Sequence, residues 1–297
     1  MKRLFYCDQH IIPLPPGHRF PVRKYRLIRD FLTPDNLFHF EEAPFADTRL
    51  IAAAHDPDYV RQFLDGTLPA ATIRRIGFPW SEGLVQRTLA SVGGTLAATE
   101  EAFASGWGGT LAGGTHHAFY AEGSGYCVFN DFAIAITDLR SRGRIQRAAI
   151  IDLDVHQGDG TAQIFENDAS VLTFSMHGAK NFPFRKQRSR IDVELADGME
   201  DDEYLATLEQ HLPRVFDFGP DVVFFQSGVD ALREDTLGRL SLSHKGLQRR
   251  DELVLRASQS YGAPLVITLG GGYANPIERT AEAHANTFRT AASILGR

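Results

Sequence analysis

The stretch Ala148-Ala149-Ile150-Ile151-Asp152-Leu153-Asp154-Val155-His156-Gln157-Gly158-Asp159-Gly160 decides how this chain folds. The apolar run from Ala148 to Ile151 is short and ends on two β-branched residues, the mark of a strand buried on both faces of a parallel sheet. It opens directly into three aspartates and a histidine. Carboxylates at the end of a buried strand are costly unless a metal or a hydrogen-bond partner takes them. Asp154 and His156 are two residues apart, so on an extended backbone both leave from the same face, with Asp152 behind them on the same side. Such a pair suits a divalent metal; the plainer alternative is that an Asp- and Gly-rich segment merely turns the chain.

Three more segments have the same form. Thr110 to Ala112 runs into Gly113-Gly114-Thr115-His116-His117, Val222 to Phe225 into Gln226-Ser227-Gly228-Val229-Asp230, and Leu265 to Leu269 into Gly270-Gly271-Gly272-Tyr273. Ligands of an open parallel sheet sit outside the carboxyl ends of its strands, so four such strands converge on one site. Helical patterns alternate with them. Asp56-Pro57 starts a helix through Leu64, and Ser81 opens a longer one to about Ala104, its pattern interrupted by Gly93-Gly94. Further helices are expected over Asn130–Arg140, over Asp201–Phe216, from Ser243 to Tyr261, and from Asn275-Pro276 to Leu295. The expected fold is therefore α/β, a doubly wound, mostly parallel sheet flanked by helices, in a single domain over residues 1–297.

With 297 residues and 43% hydrophobic content the chain can bury a large core. No run approaches eighteen apolar residues, so no membrane span is expected. The basic N-terminus meets a charge too early for a signal peptide and reads as a first strand. Two cysteines, Cys7 and Cys127, make no disulfide framework and suit a reducing cytoplasm. A net charge of −6 gives no case for nucleic acid, and the basic run Arg185 to Arg190 reads as a solvated loop. Residues 11–26 read as one long irregular segment, a length often associated with function.

Asp154, His156 and Asp230 make a set of two carboxylates and one imidazole. Three protein ligands with an open position are typical of catalytic zinc, although Fe²⁺, Mn²⁺ and Co²⁺ also accept this donor set. Such a metal polarises a carbonyl and acidifies its water. A hydrolase also needs groups that take a proton from water and deliver one to the leaving group, and adjacent His116 and His117 supply them. Asp152 and Asp159 are the carboxylates left to orient these histidines. Tyr273 follows three glycines, on a backbone that can approach a ligand closely, and its hydroxyl suits a developing oxyanion. Taken alone, a histidine pair in a loop is commonly structural, and a tyrosine there commonly just packs.

The strings Gly113-Gly114-Thr115-His116-His117-Ala118, Gly125-Tyr126-Cys127-Val128-Phe129-Asn130-Asp131, Asp152 to Thr161, Ser227-Gly228-Val229-Asp230 and Gly270 to Tyr273 occur in the order found in zinc-dependent histone deacetylases, which this chain resembles over nearly its whole length. Leu195 to Leu205, Asp235 to Ser243 and Arg250 to Val254 look most like the class IV branch. The resemblance implies an arginase–deacetylase fold and hydrolysis of acetyl or longer acyl groups from lysine side chains or a lysine-like amine. It implies Asp154, His156 and Asp230 as ligands of Zn²⁺ or Fe²⁺. It further implies His117 with Asp159 as general base, His116 with Asp152 as electrostatic partner, and Tyr273 as the group polarising the acyl carbonyl. Gly125, Tyr126, Phe182 and Gly271 are implied as substrate-binding. K⁺ or Na⁺ is implied at Asp152, Asp154, His156, Ser175 and Met176, and again at Phe165, Asp168, Val171 and Ser189. Acylated proteins and small acylated amines are both implied as substrates. An arginase-type ureohydrolase and a catalytically silent binding protein are the rival readings; the former would need further metal-binding aspartates where this chain has His116 and His117.

Overall fold

The computed structural model describes residues 1–296. Eight strands form one sheet, every pairing in it parallel: β1 (Lys2–Tyr6), β2 (Phe38–Glu42), β3 (Trp107–Thr110), β4 (Ala148–Asp152), β5 (Val171–Gly178), β6 (Ile191–Leu195), β7 (Val222–Gln226) and β8 (Leu265–Thr268). Their order across the sheet is β2-β1-β3-β8-β7-β4-β5-β6. The helices between them are α1 (Arg23–Leu32), α2 (Thr48–Ala54), α3 (Pro57–Asp65), α4 (Ala70–Ile76), α5 (Glu82–Ser105), α6 (Asp131–Ser141), α7 (Asp159–Phe165), α8 (Asp201–His211), α9 (Pro213–Asp217), α10 (His244–Tyr261) and α11 (Ile277–Leu295).

The central strands are apolar on both sides because both sides are covered. Ala148, Ile150, Val222, Phe224 and Val266 face a core shared with α3, α5 and α6. Their chain neighbours Ala149, Ile151, Val223, Phe225, Leu265 and Ile267 face a second core built with α1, α8, α10 and α11. Each of the fully buried Val, Leu, Ile and Phe side chains contributes roughly 1.5–3 kcal/mol, so the two faces together lock the register of the sheet. The helix starts follow their capping residues. Asp56 accepts from the amides of Asp58 and Tyr59, Ser81 from Leu84, Asn130 from Ala133, and Ser243 from Gly246.

Five expectations are corrected. The third strand covers Trp107–Thr110 rather than Thr110 to Ala112; Gly108 and Gly109 belong to it because a side chain there would meet the Ala98 carbonyl of α5, or Phe288 and Leu4. The helix expected over Asp201–Phe216 is two, broken at Leu212-Pro213, where proline offers no amide. The last helix starts at Ile277, after Pro276, with no side-chain cap from Asn275. The irregular segment ends at Val22, since residues 23–26 are the first turn of α1. Within the basic run, Lys186 Nζ donates to the carbonyls of Asn181 and Pro183, and the Gln187 amide to Gln157 Oε1, so only part of that loop is solvated.

Candidate active site

The four neighbouring strands β3, β8, β7 and β4 end at one edge, and the segments leaving them meet there. The Gly113-Gly114 turn has both φ angles at +75°, a conformation favoured by glycine, and it delivers the two histidines. Asp131, at the start of α6, fastens that turn. Its carboxylate accepts from the amides of Gly114 and Thr115 at 2.8 and 2.9 Å and from Thr95 Oγ1 at 2.6 Å. Gln226 Nε2 donates to the Gly114 carbonyl at 2.8 Å, tying β7 to the same turn.

Each histidine is held from behind. His116 Nδ1 lies 2.7 Å from Asp152 Oδ2, and His117 Nδ1 lies 2.6 Å from Asp159 Oδ1. The two rings are 4.1 Å apart, and both residues line the pocket with Nε2 as the uncommitted nitrogen. Their protonation is split. Burial works against a charge on His116, but the carboxylates of Asp152 and Asp154 outweigh it and raise its pKa to about 9. For His117, burial and the neighbouring His116 charge outweigh Asp159 and lower its pKa to about 4. One imidazole is thus a cation and the other a neutral base near pH 7.

Asp154, His156 and Asp230 are buried and offer three ligand atoms within 4.8 Å of one another. His156 Nδ1 is 3.0 Å from both Asp154 Oδ1 and Asp230 Oδ2. The amides of Gly271 and Val155 donate to Asp154 Oδ2 and Asp230 Oδ1 at 2.7 and 2.8 Å, fixing both carboxylates. Burial and the Asp154 charge push the Asp230 carboxyl up to about 7. Against burial, the two carboxylates raise His156 to about 10, so a proton there is the cluster's own counter-cation. Two buried carboxylates around one imidazole, short of positive charge, fit a divalent metal. A Cβ at Gly271 would overlap Asp230 Oδ2, so only glycine lets this backbone close on the cluster.

The pocket in front of the cluster has a volume of about 900 Å³. Gly125 and Tyr126 form one wall with φ of +52° and +66°. Tyr126 keeps that costly backbone through a hydrogen bond donated by its amide to the Ile76 carbonyl and through the rings of His18, Phe20 and Phe78 around its own. Phe182 stands opposite, its ring 5.0 Å from His117. Tyr273 lines the pocket 6.3 Å from the Tyr126 ring, and burial holds its phenol well above the ordinary tyrosine range, so it stays a donor. In the two sets implied for monovalent cations, Asp152 pairs with Ser175 across β4 and β5, next to Met176. In the second set the Phe165 and Asp168 carbonyls accept the amides of Asp168 and Val171, Asp168 is paired with Arg140, and the Ser189 amide donates to Asp192.

Sequence reading missed several participants. Lys24, from α1, is buried in the pocket, its Nζ donating to the Gly270 carbonyl at 3.0 Å and lying 5.3 Å from the Tyr273 ring. Burial outweighs the attraction of Asp230 and Asp154 and lowers its pKa to about 8. Asp235 accepts from the Tyr273 amide at 2.6 Å and so aims that residue. Fully buried Arg250 donates to the carbonyls of Gly228 and Ser227, supporting the loop that carries Asp230. Asp235 and Arg250 had a signal only as members of strings already singled out, and Lys24 had none.

Comparison with known proteins gives the family. Residues 18–290 match the histone deacetylase domain. An uncharacterized protein of Picosynechococcus sp. is 44% identical, across 97% of this chain and 98% of that protein. Histone deacetylase 2 of Arabidopsis thaliana is 33% identical across 86% of this chain and 70% of its own length. Histone deacetylase 1 of Homo sapiens is 32% identical across 86% of this chain but 58% of its own length, so this chain spans little more than half of it. The chain belongs to the histone deacetylase family.

Proposed function

We propose that this chain is a metal-dependent amide hydrolase that removes an acetyl group from a lysine side chain, on a protein or on a small lysine-like amine. The observation that carries the reading is the buried Asp154–His156–Asp230 cluster facing the same pocket as the His117–Asp159 pair. Zn²⁺ or Fe²⁺ held by Asp154, His156 and Asp230 supplies Lewis-acid polarisation and a more acidic water. Neutral His117, its Nδ1 committed to Asp159, takes a proton at Nε2 and returns it to the leaving amine. His116, kept positive by Asp152, favours negative charge developing beside it. Tyr273 donates its phenolic hydrogen to the acyl oxygen. Tyr126 and Phe182 enclose the aliphatic stem and exclude water.

Acetyl is favoured over a fatty acyl group by the small space that adjoins the pocket. A second void, sharing the walls of Phe20, Tyr25 and Tyr126 with the main pocket and lined by Ile12, Leu84, Val92 and Phe129, holds only about 60 Å³. That is about two water volumes, enough for a two-carbon group and too little for a long chain. The class IV assignment belongs to the same reading, since Asp235 and Arg250 of that string brace Tyr273 and Asp230. So do K⁺ or Na⁺ at Asp152, Asp154, His156, Ser175 and Met176, and a cytoplasmic setting, which the buried unpaired thiols of Cys7 and Cys127 support. The test is hydrolysis of acetyl-, hexanoyl- and myristoyl-lysine versions of one peptide by protein loaded in turn with Zn²⁺ and Fe²⁺, followed by mass spectrometry. Release of acetate with kcat/KM falling steeply at longer chains is expected. No release with either metal overturns the hydrolase, and a rise with chain length overturns the acetyl preference.

A further inference from the structure

The mouth of the pocket carries a charge of the opposite sign to the molecule. The chain as a whole is at −6, yet the exposed ionisable side chains lining the pocket are Arg19, Arg75, Lys180 and Arg239, and the one lining carboxylate is the buried Asp154. Three of these cations are partly neutralised. Arg75 pairs with Glu122, and Lys180 and Arg239 share the single carboxylate of Asp197 at 3.6 and 3.3 Å. Arg19 has no ion-pair partner among the described residues. It sits on the rim beside Tyr126, whose phenol its charge pulls down against the larger effect of burial. Its position is fixed by its neighbours: His18 Nε2 bonds the Gly77 carbonyl at 2.9 Å, and the Phe20 ring lies 4.7 Å from Phe78. On the opposite rim, Phe184 is 89% exposed and is followed by exposed Arg185 and Arg188.

A substrate stem entering between Tyr126 and Phe182 therefore leaves the rest of its molecule against a rim with a surplus of positive charge. A basic peptide would meet repulsion there, whereas carboxylates within a Debye length of about 10 Å are attracted.

We propose that the substrate carries carboxylate groups close to its acylated amine, and that Arg19 with the Lys180–Arg239 pair selects them. The inference rests on the hydrolase reading above. The carboxylates come either from Asp or Glu flanking an acyl-lysine in an acidic peptide segment or from the substrate's own carboxyl group in a small molecule. Exposed ion pairs are individually weak, so the selection is additive and salt-sensitive.

The experiment compares one acetyl-lysine peptide flanked by Glu, by Ala or by Lys, and free Nε-acetyl-lysine against its carboxamide, on zinc-loaded full chain. We expect kcat/KM about tenfold higher for Glu than for Lys flanks at 50 mM salt, carried by KM, shrinking to about twofold at 0.5 M. A preference for the free carboxylate over the carboxamide that exceeds the peptide preference identifies the small-molecule source; the reverse identifies the peptide. In the Arg19→Glu/Lys180→Glu double variant the order of the flanks inverts while the Ala-flanked peptide keeps its kcat. Equal or better turnover of the Lys-flanked peptide together with no preference for the free carboxylate over the carboxamide overturns the proposal, as do unchanged preferences in the double variant. Loss of turnover on every peptide would instead fault the hydrolase reading. Anisotropy of the same labelled peptides then decides the rim by itself, with tighter binding of Glu flanks supporting it and equal binding refuting it.

Discussion

Replacing Asp152 by asparagine removes one negative charge 2.7 Å from His116 Nδ1 while keeping the shape of the side chain. The rise of the His116 pKa from its ordinary 6.5 to about 9 corresponds to about 3 kcal/mol in favour of the imidazolium. A single charge pair at ~3 Å with an effective dielectric of ~20 is worth about 5 kcal/mol, so the loss of this one partner is enough to cancel the rise. Burial then prevails and the ring titrates at or below its ordinary value. The sign follows: the charge on His116 is present below about 9 in the unaltered protein and is lost on the alkaline side. In the variant it is lost above ~6.5, so at pH 8 the active fraction, and with it kcat/KM, falls about 30-fold, while near pH 6 the two proteins differ by less than about twofold. A divalent cation on Asp154 offsets that carboxylate's pull and moves both alkaline limbs down together, leaving the difference in place. The assay is kcat/KM on an acetyl-lysine peptide from pH 5 to 10, with metal content measured at each pH and the His116 ring followed by NMR. An Asp152→Asn enzyme with full metal and the unaltered alkaline limb would refute the assignment of His116 as the charged histidine.

Asp154→Ala and His156→Ala should each abolish both tight metal binding and turnover, because two remaining ligands make an incomplete site; metal analysis after dialysis and a peptide assay check this, and retained activity in either sinks the ligand set. Because carboxylates raise His156 to about 10, its proton is held below that pH and must leave when a metal arrives, so metal affinity should climb about tenfold per pH unit between pH 7 and 9. Calorimetry in two buffers of different ionisation heat measures that proton directly, and pH-independent affinity contradicts it. Tyr273→Phe keeps the ring and should lower kcat by about 10²–10³ with KM little changed; a folded, metal-loaded variant working at the normal rate would reassign Tyr273 to packing. Gly93→Ala drives a Cβ into the Pro44 carbonyl and should cost about 1–3 kcal/mol, read as a Tm lowered by several degrees with the kinetics of surviving enzyme unchanged; an unchanged Tm would mean that α5 can shift at no cost.

Legibility in the sequence followed burial. Strands β4, β7 and β8 are uninterrupted apolar runs because helices cover both their faces, and the reactive groups are conspicuous because each follows such a run directly. Edge strand β6, Ile191–Leu195, alternates buried and exposed residues with Asp and Glu among them and reads as loop. Strand β3 hides behind Gly108 and Gly109, which weaken strand propensity but allow α5 to lie close against it. The Gly93-Gly94 pair that interrupts the pattern of α5 is explained the same way, by the approach of Pro44 and Thr110. Lys24 was invisible because nothing in Arg23-Lys24-Tyr25-Arg26 marks which cation turns inward; only the packing of α1 against the Gly270 turn decides it. Asp235 lies 38 residues from the Tyr273 amide it holds, a distance at which local pattern carries no information.

The order of strands also constrains how the protein is made. β8 is the last strand to leave the ribosome, yet it lies in the middle of the sheet, between β3 and β7. Until residues 265–268 are available, β2-β1-β3 and β7-β4-β5-β6 are two separate ribbons, each with a hydrophobic edge of unpaired amides and carbonyls. Nascent chains that stall before this point carry two open edges suited to pairing with other chains, and β8 closes both at once. The same insertion brings Gly271 and Tyr273 to Asp154 and Asp230, so the moment that removes the aggregation hazard is the moment at which the catalytic pocket first exists.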